Sequence, residues 1–148
     1  MISSVDVKSR QQWMSVLACA GQDLLSYGEA LKDADYRFIR PPEVGMALVR
    51  GRAGATGSPF NLGEMTVTRC VVQFADGRTG YSYVAGRDKQ HAELAALADA
   101  HLQGDCRQQW LDRVIDPLRQ VADRRRAFAA ARTATSKVDF LTLVRGED

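Results

Sequence analysis

Apolar residues recur at helical spacing through the first thirty positions. Trp13, Val16, Leu17 and Ala20 form one series, and after Gly21 come Leu24, Leu25, Gly28 and Leu31. Residues three and four apart share a helix face, so helices are expected over about residues 9–32. Ser9 followed by Gln12 fits a capping box at the first helix start. From Tyr36 the pattern changes. Tyr36, Phe38 and Ile39 favour a strand, and Pro41-Pro42 is expected to end it, because proline donates nothing to a ladder. Residues 44–52 read as a second strand, and 53–64 (AGATGSPFNLGE) read as a loop. In the strand predicted over 65–74, Cys70, Val72 and Phe74 fall on one face and Arg69, Val71 and Gln73 on the other. Asp76-Gly77 is a hairpin turn signal, with residues 78–84 returning.

After Gly86 the helical period resumes. Asp88 is placed to cap a helix carrying Leu94, Ala95, Leu97, Ala98 and Leu102. Trp110, Leu111, Val114 and Ile115 predict a short amphipathic helix. Asp116-Pro117 predicts a restart, with aspartate as cap and proline in the first turn. Helices are thus expected over about 88–132. An apolar tail, 138–148, follows as a strand or a docking segment. The order helix, sheet, helix predicts an α+β fold: an antiparallel sheet of three to four strands over about 36–84, packed with N-terminal and C-terminal helices. At 148 residues the chain is expected to be one domain, 1–148.

Charge changes this picture little. A net charge of +2 does not by itself call for nucleic acid or membrane. The arginines of 117–132 are diluted by aspartate and lack interleaved aromatics, which favours a solvated or protein-facing surface over nucleic acid. Three widely spaced cysteines suggest free thiols in a reducing compartment. No run approaches the roughly 20 apolar residues of a membrane span, and the N-terminus has no signal-like run. A cytoplasmic protein is expected.

Candidate chemistry concentrates in GRDKQHAE, residues 86–93. A helix start offers free N–H groups and a positive dipole end to an anion. Arg87, Lys89 and His91 could join one anion-binding face there; the competing reading is a capped helix start with internally paired charges. The glycine-rich 51–63 stretch lacks a phosphate-loop ending. His91 and His101, ten positions apart, stand roughly 15 Å apart on one helix, too far for one metal ion, so no metal site is expected. No nucleophile–base set is legible, and catalytic residues stay unassigned.

The stretches RQQWMSVLA (10–18), GATG (54–57), TRCVVQFADGRTGYSYVAGRDKQHAE (68–93) and VDFLTLVRG (138–146) resemble the PhnG family of the bacterial carbon–phosphorus lyase system. The resemblance runs nearly end to end and is weakest over about 104–135. It implies a subunit of a core complex with PhnI, PhnH and PhnJ, joined functionally by PhnL. That assembly displaces adenine from ATP with a phosphonate, giving an α-D-ribose 1-phosphonate 5-triphosphate. The nucleosidase-type chemistry is implied to belong to PhnI. The iron–sulfur cluster and S-adenosylmethionine are implied to belong to PhnJ, which breaks the carbon–phosphorus bond; this chain is expected to carry no cofactor of its own. The expected role is a non-catalytic but required subunit. Trp13 on the N-terminal stripe and Phe140, Leu141, Leu143 and Val144 in the tail are expected to meet PhnI, and the isolated chain to self-associate. Two alternatives stand beside it: a direct anion-binding participant through Arg87, Lys89 and His91, and a stand-alone nucleotide-binding or hydrolytic enzyme.

Overall fold

The computed structural model describes residues 6–54 and 56–135. Its order is α1 (Val7–Cys19), a 3₁₀ helix (Gly21–Tyr27), α2 (Gly28–Lys32), β1 (Tyr36–Arg52), β2 (Pro59–Phe74), β3 (Thr79–Ala85), α3 (Lys89–Leu102), α4 (Arg107–Trp110), a π-helical turn (Leu111–Ile115) and α5 (Asp116–Thr135). The three strands form one antiparallel sheet in the order β1-β2-β3. This is the expected α+β arrangement, a mid-chain antiparallel sheet flanked by N-terminal and C-terminal helices.

Helix α3 lies at the centre. Leu94, Leu97 and Leu102 are fully buried, as are most of its alanines. One side meets Cys70, Val72 and Phe74 of β2 and Val84 of β3; the other meets Trp13, Leu17, Leu24 and Leu31 from the N-terminal helices. Burying each leucine contributes about 1.5–3 kcal/mol. The small residues set the spacing: a Cβ at Gly80 would collide with the Ala96 carbonyl oxygen, so β3 runs directly against the helix backbone.

Several local expectations change. Asp6, not Ser9, caps α1, its carboxylate accepting from the Ser9 N–H at 3.4 Å. Pro41-Pro42 does not end β1. The register slips between Phe38 and Arg40 and again between Arg40 and Glu43, so the prolines sit in a bulge on an edge strand, where no ladder bond is lost. Residues 59–64 are not loop but the beginning of β2. Helix α5 does begin at Asp116, as expected, but without a break before it. The Asp116 N–H reaches the Leu111 carbonyl, and this widened turn carries the helix past Pro117, whose ring would otherwise crowd the carbonyl four residues back.

The sheet has unequal halves. β3 stops opposite Val67, where Ala85 makes its last pair. Gly86, at φ 95°, turns the chain out of the sheet while its N–H donates to the Thr66 carbonyl at 2.9 Å. Beyond that point β1 and β2 pair only with each other, from Met46–Thr66 to Arg52–Pro59. At about 3.4 Å per residue this two-stranded arm reaches roughly 25 Å from the core.

Candidate functional site

The same turn at Gly86 sets the start of α3. Asp88 is the N-cap, its Oδ1 accepting from the His91 N–H at 2.9 Å. Its Oδ2 accepts from Gln22 Nε2 at 3.2 Å. The helix end therefore already faces a carboxylate of its own chain, which occupies the position an external anion would seek. Arg87 and Lys89 flank Asp88 and are exposed. His91 does not join them. It is buried, its Nε2–H donating to the Leu17 carbonyl at 2.7 Å and tying α3 to α1. The three-residue cationic set is thus reduced to two.

Trp13 is also turned inward rather than outward to another chain. It is 2% exposed, and its indole N–H donates to Asp99 Oδ1 at 2.9 Å. Phe140, Leu141, Leu143 and Val144 lie outside the described residues.

Asp99 is the strongest buried polar centre. Fully buried in α3, it receives Arg10 Nη2 at 2.6 Å, Arg10 Nε at 3.2 Å, the Trp13 indole and the Tyr81 backbone N–H at 3.0 Å. One carboxylate thereby joins α1, α3 and the free edge of β3. The sequence carried a sign of it, a lone acid between alanines in LADAHL. With the Gln103 amide also donating to Oδ2 at 3.3 Å, five donors meet two oxygens and little acceptor capacity is left for a substrate, so its arrangement is that of a structural joint.

Several grooves open on the surface, and two of them each bring a pair of arginines together with an aspartate. One, about 670 Å³, lies between α1 and α5 and is lined by Lys8, Gln11, Gln12, Arg119, Asp123 and Arg126. Its arginines are partly engaged: Arg119 with Asp116 at 3.3 Å and Arg126 with Asp123 at 3.2 Å. The other, about 440 Å³, is lined by Arg78, His101, Asp105, Cys106, Trp110 and Arg113. His101 is fixed there by donation from Nε2 to the Leu31 carbonyl at 3.0 Å and by ring contacts with Phe74 and Trp110. Burial, with help from the Arg78 charge, lowers its pKa below 6.5 despite that hydrogen bond. Arg78 is held by Asp76 and the Ala100 carbonyl, at 2.6 and 3.2 Å.

Elsewhere the perturbed groups are inert ones. Burial, reinforced by the Glu93 carboxylate, pushes the Cys70 thiol up to about 11. Burial and a 2.8 Å hydrogen bond to Glu93 push Tyr36 up to about 12. Among the described residues no three His, Cys, Asp or Glu side chains gather to hold a metal ion. No helix among them is long and apolar enough to cross a membrane.

What is unusual on this surface is apolar. Met46 is 70% exposed, Leu62 67% and Leu48 57%, all on the arm. Phe60 and Met65 are exposed there too. Large exposed apolar patches mark interaction surfaces.

The pattern of the family described as "Phosphonate metabolism protein PhnG" matches residues 8–146. A curated protein of Rhizobium meliloti (strain 1021), "Alpha-D-ribose 1-methylphosphonate 5-triphosphate synthase subunit PhnG", is 38% identical over 144 residues, covering 96% of this chain and 92% of that protein.

Proposed function

The chain belongs to the PhnG family, and we propose that it serves as a non-catalytic but required subunit of a ribose 1-methylphosphonate 5-triphosphate synthase. In that reaction a phosphonate oxygen takes the anomeric carbon of the ATP ribose and adenine departs. The reading is carried by near full-length similarity to a subunit of such a synthase. Two features of the chain support it. The best-organised polar centre, around Asp99, is saturated by internal donors. The most exposed apolar surface is a projecting arm rather than a ligand-sized cavity.

The partners in this reading are PhnI, PhnH and PhnJ, with PhnL joining functionally, and the bond-making centre belongs to PhnI. A subunit of this kind acts by holding its neighbours in a reactive geometry, and orientation alone is worth several kcal/mol of barrier. The iron–sulfur and S-adenosylmethionine chemistry belongs to PhnJ, and the setting is the cytoplasm. An omission assay tests the role: the other subunits, ATP and methylphosphonate are combined with and without this chain, and adenine release is followed. Release that needs the chain supports the role; an unchanged rate in its absence removes it.

A second reading gives Arg87 and Lys89 a share in binding the triphosphate or the phosphonate. Both are exposed, and neither has an ion-pair partner among the described residues. Arg87→Gln with Lys89→Gln then raises the ATP or phosphonate concentration needed for half-maximal rate severalfold while the complex stays intact. Loss of the complex, or no change, assigns these residues to structure or solvent.

A further inference from the structure

We propose that the two-stranded arm, residues 46–66, is an insertion element that enters a cleft of another subunit of the synthase, with apolar walls on both sides and acidic groups at its far end. The inference rests on the subunit reading above.

Both faces of the arm are apolar. Directly paired residues share a face. Met46 pairs with Thr66 and Leu48 with Glu64, on the face that continues the buried row Thr68, Cys70 and Val72. Ala47 pairs with Met65 on the opposite face. After the register slip between Val49 and Arg50, Gly51 pairs with Phe60. A Cβ on Gly51 would lie 3.6 Å from the Phe60 ring and 3.9 Å from Leu62 Cβ, so both side chains reach the glycine's face. A ribbon lying on a flat partner needs one apolar face. Here Met46 and Leu48 are exposed on one face, and Phe60, Leu62 and Met65 away from it. Only an enclosing partner removes all of them from water.

Both edges are open as well. β3 ends opposite Val67 and Gly86 covers only the Thr66 carbonyl, so β2 has no strand neighbour on that side from Pro59 to Met65, and β1 is an outer strand of the sheet. Exposed edges are ordinarily blunted by proline, lysine or bulges. Pro41, Pro42 and two of the slips lie at the root, between Phe38 and Glu43; on the arm itself stand only Pro59, at the start of β2, and the slip between Val49 and Arg50, and residues 44–52 contain neither proline nor lysine. Isolated two-stranded ribbons are marginal in water, so this one gains its stability where it docks.

The tip supplies the charge argument. Arg50 and Arg52 are exposed, without an ion-pair partner among the described residues, and Glu64 is the sole acid on the arm strands. A receiving cleft that ends in carboxylates complements them and disfavours insertion of a second arm of the same charge.

The arm can be removed cleanly, because no described residue of 46–66 belongs to the core and Gly45 pairs directly with Val67. Replacing residues 46–66 with Asn-Gly closes that pair with a favoured hairpin turn. This variant is expected to keep the circular dichroism and cooperative melting of the parent. Its capture of co-expressed PhnI, PhnH and PhnJ is expected to fall about a hundredfold or more, since anchors in an enclosed pocket dominate binding. Two surface variants ask about enclosure without touching the fold: Leu48→Asp and Leu62→Asp, one on each face, should each weaken capture on its own. Hydrogen exchange adds an independent readout, with arm amides fast in the isolated chain and slowed roughly a hundredfold in the complex.

Full capture by the folded armless variant overturns the proposal, as does sensitivity to only one of the two aspartate variants. Protection of the arm in the isolated chain also overturns it. Protection lost on dilution makes a second copy the occupant; protection lost on truncation after residue 135 makes it the chain's own C-terminal segment. A parent chain that captures no subunit takes the subunit reading down too, whereas parent and armless chains that capture equally sink the arm alone.

Discussion

Asp99 holds more of this molecule together than any other polar side chain described. Its oxygens bring Arg10, Trp13 and the Tyr81 backbone into one buried group. Asp99→Ala leaves a guanidinium, an indole N–H and a backbone N–H without that acceptor, and about 3–5 kcal/mol of stability is expected to be lost, read from urea unfolding. A loss below about 1 kcal/mol would mean that these donors find other partners. The thiols give a second check. Cys19 and Cys106 are exposed and Cys70 is buried, with its pKa pushed up to about 11. Alkylation at neutral pH should therefore modify Cys19 and Cys106 in the native chain and reach Cys70 only after unfolding. His101 gives the fold a pH dependence of known sign. Its folded pKa is depressed, so the unfolded state binds the proton first. No stability is lost above the unfolded value of about 6.5; stability falls as the pH drops below it, until the folded group also titrates. Melting temperature should decline from pH 7 toward pH 5, and His101→Phe should flatten that decline. Little of this was visible beforehand. His91 and Trp13 read as outward-facing because spacing places residues on a helix but does not say which face is buried when helices pack on both sides of it.

Alternation identified the half of β2 that covers α3, and Asp76-Gly77 and Asp88 marked its turn and the cap of the next helix. Asp88→Ala should cost about 1 kcal/mol, because the His91 N–H loses its acceptor. A change within a few tenths would show that water replaces the cap. The arm escaped the same reasoning for a physical reason. Proline and glycine signal breaks in a core strand, but an edge strand absorbs Pro41-Pro42 in a bulge, and a ribbon outside the core tolerates Gly51 and Gly63. Its second strand, with Phe60, Leu62 and Met65 among polar and small residues, lacks the one-sided alternation that packing on a helix imposes. The continuous passage from α4 to α5 was hidden likewise: Asp116-Pro117 has the chemistry of a helix start, and only the widened turn before it lets the helix continue.

The α+β architecture followed from the order of these patterns, while the surface that matters most for the proposed role did not. Family membership gives the chain its setting, and the geometry suggests how it takes part: a core fixed around α3, a buried Asp99 satisfied internally, and an apolar arm directed outward. The central claim is that the reaction is hosted next door. The direct measurement is adenine release from ATP with methylphosphonate by the purified chain alone, set beside the full assembly under the same conditions. The account predicts no release above background from the chain and sustained release from the assembly. Release by the isolated chain at a rate comparable with the assembly would contradict it.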